Sequence, residues 1–571
     1  MPERSDIVAY EYDPTFDDKV EPDDFLHELE EKIKPTYFSM RGLCNFAMLG
    51  SLVSVFLFVF ILSPMALYFG EENRNKAIRK NKYINVNGQY MFQFPMADLI
   101  DSDTPQSVMT RTGYDGQEYE LVFSDEFEME GRTFWPGDDP YWQAADLWYG
   151  STMDLEWYDP RQITTRNGSL VITMDSNATQ QAGLTPGSSA PFTVAENHGL
   201  GYRSGMLQSW NKFCFTSGYI EIALVLPGPD ANTRGYWPGA WTMGNLGRPG
   251  HMATTDGTWP YSYDSCDVGT FPNQTLKDKS GPPAALKSAF SPKDYNYELS
   301  WQPGQRLSAC TCPNSDHPGP TTSGDNRYRG RGAPEIDIME AQFDKDPEAL
   351  GQLVSQSAQF APFTHDYVFG NTTEDEWKVW DPTISRQNSY RGSPAQQAVS
   401  GLTAVPPDMF QGSGRQFKVF GFEYWGDAEH RDEGFITWVS NGKPSVGLRA
   451  AAMGPDTGEN GTGVGQRIVS EEPMSIVLNL GISHNWQRID LGSMMFPAEM
   501  LIDYVRVYQR KGEKNVGCDP PDYPTSEYID AHMSAYSNPN LTSWDSEKPS
   551  NRLVSSKHSD FCGRHLTCTN K

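Results

Sequence analysis

Between about Glu120 and Gln509 the chain runs in short β-rich segments separated by Gly, Pro, Asn and Asp. Leu170–Met174, Tyr219–Leu226, Phe417–Tyr424, Phe435–Val439, Ser475–Leu480 and Leu501–Tyr508 are examples. No long segment in this stretch carries a helical period. Many short strands punctuated by turn residues predict an antiparallel sandwich or jelly roll. Large β-sandwiches exceed the usual domain size, so 571 residues can hold one big β domain with appendages instead of three or four domains. No internal repeat is visible.

The segment Leu43–Phe69 contains no charged residue. Twenty-seven residues at ~1.5 Å rise reach ~40 Å, enough for a tilted helix across a ~30 Å hydrocarbon core. It is too long and uniform for a buried core helix. It also starts too deep in the chain for a cleaved signal peptide, so a single transmembrane anchor over 43–69 is expected. Lys32, Lys34 and Arg41 precede it, while Arg74, Lys76, Arg79, Lys80 and Lys82 follow it. That balance mildly favours a cytosolic C-terminal side. Six N-x-S/T sequons, at Asn167, Asn177, Asn273, Asn371, Asn460 and Asn540, argue for the opposite orientation. Cys214, Cys266, Cys310, Cys312, Cys518, Cys562 and Cys568 also lie beyond the segment and can supply three disulfides, with connectivity left open. Cys562-x-x-His565-x-x-Cys568 is read as part of a disulfide-stapled tail in preference to a metal site. Cys44, at the segment's edge, is a weak candidate for lipidation.

Residues 1–42 are read as a disordered acidic cytosolic tail, 70–115 as a polar stem and 511–571 as a Cys-containing, surface-draped extension. The formal net charge of −28 leaves no basic field to neutralise a nucleic acid, so an uncharged, hydroxylated ligand is the better expectation.

Pro334-Glu335-Ile336-Asp337-Ile338-Met339-Glu340-Ala341 is the sharpest local feature. On a strand, Glu335 and Asp337 share one face while Ile336 and Ile338 share the other. Strict alternation would send Glu340 to the apolar face and Met339 to the acidic one. One extra residue in a β-bulge resets the register and returns Glu340 to the acids. Paired carboxyls on a concave sheet suit retaining glycoside hydrolysis, with the third carboxyl helping to hold their pKa values apart. On spacing alone, a solvated acidic strand or a carboxylate Ca²⁺ site fits about as well.

The chain resembles glycoside hydrolase family 16, whose signature is E-[ILV]-D-x-x-E on a bulged strand. Further segments match in collinear order over about residues 120–510. They are Leu121–Phe127, Ser217–Glu221 through Pro227, Trp237-Pro238-Gly239-Ala240-Trp241-Thr242-Met243, the stretch holding Asn479 and Trp486, and Asp503–Tyr508. Ser204–Cys214, Gly244–Gly250 and Tyr263–Thr270 are similar to the fungal membrane-anchored β-glucan synthesis-associated proteins, which act in cell-wall β-1,6-glucan formation.

These resemblances imply a concanavalin-like β-jelly-roll sandwich over 116–510, preceded by a single transmembrane helix. They also imply a type II topology in the secretory pathway (endoplasmic reticulum, Golgi or plasma membrane), with the β domain lumenal or extracellular. Implied roles are Glu335 as nucleophile, Glu340 as acid/base and Asp337 as supporting carboxylate. Trp237 and Trp241 become sugar-stacking platforms, although core packing competes as the reading for one of the two. Trp259, Tyr261, Tyr263 and Trp486 are further substrate-binding candidates, and His251 is read as structural. β-Glucan chains, the membrane and other wall-synthesis proteins are the expected partners, with no nucleic acid. No metal or cofactor is expected, and a structural Ca²⁺ is left open.

One departure from the family pattern stands out. About 90 residues, 244–334, separate the tryptophan segment from the catalytic strand, where typical members have a short connection. An insertion there is expected beside the cleft, where it can wall off subsites, bind a partner or exclude water. Hydrolysis and transfer to a sugar hydroxyl differ only in the acceptor and both stay open. So do a glucan-binding or assembly factor with little turnover, and a Ca²⁺ lectin.

Overall fold

The computed structural model describes residues 40–57, 60, 98–176, 200–312, 315–322, 327–343 and 351–544. Residues 1–82 and 83–571 form two separate compact units. In the first, Met40–Leu57 is an α-helix with Leu43, Phe46, Leu49 and Phe56 exposed along it. No helix among the described residues is long and apolar enough to cross a membrane. Most of the expected anchor beyond Leu57 lies outside the described residues, as do the acidic tail as far as Ser39 and the run Cys562–Cys568.

The second unit is a sandwich of two large antiparallel sheets, accompanied by a small three-stranded one. The strands of the inner sheet used below are β1 (Met206–Gln208), β2 (Tyr236–Gly244), β3 (Glu335–Phe343), β4 (Gln352–Phe360), β5 (Gln396–Ala404) and β6 (Met474–Ile482). Their spatial order is β5-β4-β3-β2-β6-β1. The outer sheet is centred on Gly218–Val225, flanked by Ala498–Arg510 and Lys418–Trp425. Alternation along the strands fills the space between the sheets. Ile220, Ile222 and Leu224, with Phe420, Phe422, Val505 and Val507, face Ile336, Ile338, Val354, Ile476, Leu478 and Leu480 in one core.

The expected bulge is present in β3. Asp337 pairs with Ser357 and Glu340 with Ser355, so Ile338 and Met339 of β3 together oppose Gln356 of β4. On the other side Trp241 pairs with Asp337 while its neighbour Ala240 pairs with Met339. Met339 accordingly joins Ile336 and Ile338 in the core. A bulge leaves ladder carbonyls without backbone partners. Here the buried Trp438 Nε1 donates to Asp337 O at 2.9 Å, and Gln356 Nε2 donates to Ile338 O at 3.2 Å.

Two boundaries differ from expectation. Residues 98–115 are part of the sandwich: Thr110–Thr112 pairs with Glu118–Asp125, and Thr104 Oγ1 donates to the buried Glu126 carboxylate. As far as Trp544, the C-terminal extension is a packed strap and not a surface drape. Cys518 is disulfide-bonded to Cys214, and Tyr528, Ile529 and Tyr536 are buried against Leu246, Ala253 and Leu307 of the insertion. Arg331 ties these parts together. It donates twice to the buried Glu472 carboxylate at 2.7 Å, and to Gly319 O and Pro524 O at 2.8 and 3.0 Å. Beside it, Gly332 lies so close to the start of the insertion that a Cβ there would sit 2.2 Å from Tyr261 O.

Trp438→Phe keeps most of the core volume but leaves the Asp337 carbonyl without its donor. The expected cost is about 1–3 kcal/mol, read as a lower urea midpoint at unchanged slope.

Candidate functional site

The bulge turns Glu335, Asp337 and Glu340 to the inner sheet's open face, and each carboxyl meets its own donor. Trp259 Nε1 donates to Glu335 Oε2 at 2.6 Å. Ser357 Oγ and Gln359 Nε2 donate to Asp337 Oδ2 at 2.6 and 3.1 Å. Trp237 Nε1 donates to Glu340 Oε1 at 2.9 Å. Asp337 is buried, whereas Glu335 and Glu340 keep partial solvent contact. The indoles of Trp237 and Trp486 stack in parallel, with centroids 4.6 Å apart and planes 2° from coplanar. Trp486 Nε1 is anchored on Ala341 O at 3.0 Å. Trp241, 9% exposed, lies lower: its Nε1 donates to Asn479 Oδ1 at 2.8 Å, and the lack of a side chain at Gly239 leaves room for that amide.

With this geometry in view, the relatives of the chain become informative. The profile of the beta-glucan synthesis-associated protein SKN1/KRE6/Sbg1 family matches residues 13–556. The chain belongs to that family. The beta-glucan synthesis-associated protein KRE6 of Saccharomyces cerevisiae is 40% identical over 550 residues, which cover 93% of this chain and 68% of the relative. The beta-glucan synthesis-associated protein SKN1 of Candida albicans is 39% identical over 541 residues, covering 92% of this chain and 65% of the relative. The chain therefore spans about two thirds of the length of these relatives. Among solved structures, the endo-beta-1,3-glucanase of Pyrococcus furiosus aligns at 17% identity with a TM-score of 0.37, over 71% of this chain and 98% of that one.

Of the sequence-predicted site residues, Glu335, Asp337, Glu340, Trp237, Trp241, Trp259 and Trp486 come together around the cleft. Tyr261 and Tyr263 do not. They are 0% and 1% exposed, packed with Phe271 and Leu299 of the insertion and with Phe363 beyond β4 in a second apolar cluster. The Tyr263 hydroxyl bonds the Asp267 carboxylate and accepts from Gly465 N–H, so the correction has a plain cause: these rings hold the insertion to the sandwich. His251 is buried beside Pro249 O, and burial pulls its imidazole down to about 3, in keeping with a structural role.

Sequence reasoning missed several contributors. Ser357 and Gln359 sit opposite Asp337 and Glu335 in the β4 register, and the polar alternation Ser355, Ser357, Gln359 was the available signal. Tyr149 lies where the charges of Glu335, Asp154, Glu340 and Asp337, after burial, push its phenol up. A second pair of buried carboxyls, Asp154 and Glu156, lies close enough for the charge of Asp154 to raise Glu156 further after burial. Tyr158 OH donates to Asp154 at 3.3 Å and accepts from Asn479 Nδ2 at 3.1 Å. This joins the pair to the Trp241 indole. No short-range pattern announces that link.

Burial raises all three cleft carboxyls. It lifts Glu335 well above the usual carboxylate range, and the charges of Asp337 and Glu340 lift it further. Burial raises Asp337 to about 6, against hydrogen bonds from Ser357, Gln359 and Glu335. Burial and then the Asp337 charge raise Glu340, opposed by the Trp237 N–H. Burial and the carboxyls' mutual charge thus disfavour ionising all three at once.

Carboxyls raised on folding bind more protons in the folded chain than in the unfolded one, so their contribution to stability falls as pH rises through about 6 and beyond. Glu340→Gln removes one such group. Its melting temperature should exceed wild type at about pH 8, with the difference shrinking towards about pH 5. A difference independent of pH would contradict the assigned electrostatics.

Proposed function

We propose that this protein is a retaining glycosidase or transglycosylase acting on β-glucan in cell-wall β-1,6-glucan assembly. The observation that carries the proposal is the bulged strand β3, which presents Glu335, Asp337 and Glu340 on one face, each with a separate donor. Glu340, kept protonated by burial, donates its proton to the departing glycosidic oxygen. The ionised form of the Glu335–Asp337 pair attacks the anomeric carbon through Glu335, forming a glycosyl ester. Glu340, now a carboxylate, takes the proton of the incoming hydroxyl, and the ester breaks to restore Glu335. Trp237, Trp486 and Trp259 supply apolar faces for pyranose rings, over a floor that holds the buried Trp241. An acidic protein with this cleft suits a neutral polysaccharide.

The proposal places the β domain on the lumenal or extracellular side of a membrane, anchored through 43–69. Cys214–Cys518 and Cys266–Cys310 support an oxidising compartment. Asn167, Asn371, Asn460 and Asn540 are exposed and available for glycosylation there.

The test uses detergent-solubilised full-length chain with defined β-1,3- and β-1,6-gluco-oligosaccharides, with products sized by mass spectrometry. Wild type should give longer or shorter products, and Glu335→Gln should lower the rate by more than about a thousandfold. Binding without either kind of product would replace the enzyme with a glucan-binding assembly factor.

A further inference from the structure

A second group of aromatic rings lies beyond the carboxylate strand, on the flank away from Trp237 and Trp486. Trp301 and Tyr390 are each 48% exposed. The Tyr295 ring packs edge-on against Trp301, with centroids 4.9 Å apart. Tyr295 and Trp301 belong to the insertion, while Tyr390 sits in the loop that leads into β5. The insertion is fastened to that loop: Trp301 N–H donates to Pro394 O at 2.8 Å, and Gln302 Nε2 donates to Ala395 O. The loop is itself braced, with Ala398 N–H on Arg391 O at 2.8 Å and Gln396 Nε2 on the Tyr390 hydroxyl at 3.5 Å. Tyr390 lies within electrostatic reach of both Tyr295 and Glu340.

The strand order gives this arrangement its meaning. Trp237 is on β2, and Trp486 follows β6, both to one side of β3. Tyr390 precedes β5, two strands and about 10 Å to the other side. A glycan crossing the sheet at the carboxyls has aromatic surface waiting on both flanks. An exposed indole next to phenol hydroxyls offers an apolar face and hydrogen-bonding edges together, which matches a pyranose.

We propose that Tyr295, Trp301 and Tyr390 form a glucan subsite that holds an acceptor chain against the cleft. The inference rests on the cleft being a β-glucan site and adds to it that two saccharides are held, one on each flank of β3. In the transfer step an acceptor hydroxyl gives its proton to Glu340, and its oxygen bonds the anomeric carbon. The C–O bond to Glu335 breaks as the carboxylate departs with the electron pair. A neighbouring chain held on aromatic rings competes with water for that intermediate.

Glu335→Gln full-length protein, titrated calorimetrically with β-1,3- and β-1,6-gluco-oligosaccharides of increasing length, separates binding from turnover. Affinity should rise with length, and adding Trp301→Ala and Tyr390→Ala should weaken the longest ligand about tenfold and flatten the rise. Trp301→Phe, which keeps an aromatic face, should recover most of the loss. In protein retaining Glu335, the alanine pair should lower the ratio of transfer to hydrolysis products. An unchanged length dependence overturns the subsite, as does a phenylalanine variant as weak as alanine. If wild type turns nothing over but the alanine pair still weakens long ligands, the enzyme reading fails and the subsite stands.

Discussion

One extra residue in β3 is the constraint on which the site depends. Without the bulge, a strand of this sequence would bury Glu340 between the sheets and push Met339 into the cleft. The bulge exchanges them, but it does so at the cost of two ladder carbonyls that face the core. Those carbonyls meet Trp438 Nε1 and Gln356 Nε2. Gln356 also donates to Val439 O at 2.9 Å, so the repair is shared with the outer sheet. The core is therefore not indifferent packing beneath a functional face. It holds the irregularity that makes the face functional.

The insertion completes what the bulge begins. Its Trp259 meets the Glu335 carboxyl directly, and its other end returns to β3 through Arg331, whose guanidinium is buried and fully engaged. A buried guanidinium is tolerable only with its donors satisfied, and here a carboxylate from the sandwich and carbonyls from the insertion and the C-terminal strap satisfy them. Disulfides hold both appendages as well, Cys266–Cys310 inside the insertion and Cys214–Cys518 between sandwich and strap. The cleft wall is thereby built from three stretches of chain that are distant in sequence.

What could be read from the residues follows from the range of the forces involved. Strand alternation and the acid spacing are local, so the two-sheet class, the bulge and the convergence of Glu335, Asp337 and Glu340 were legible. Tyr261 and Tyr263 misled because an aromatic side chain suits a sugar platform and an interior equally well, and only tertiary packing decides between them. The start of the sandwich was set too late because residues 98–115 contribute one short edge strand and side-chain bonds to Glu126, neither of which has periodicity. Ser357 and Gln359 required the pairing register, and the Asp154–Glu156 pair required knowing which strands become neighbours.

That buried pair carries the argument one step further into the site. Asp154 is raised to about 6 by burial, and Glu156, fully buried, is held well above the carboxylate range by burial and by the Asp154 charge. Burial and the neighbouring charge both favour a protonated Glu156 beside Asp154, and Glu156 Oε2 accepts from Ile482 N–H at 3.1 Å. Asp154 then orients the Tyr158 hydroxyl, Tyr158 fixes which way the Asn479 amide points, and Asn479 Oδ1 fixes the Trp241 indole opposite Asp337. The floor of the cleft is thus set by a hydrogen-bonded chain that runs from Asp154 to Trp241. Buried carboxyls are costly, and in this cleft Asp154, Glu335 and Glu340 each bond the polar edge of an aromatic side chain.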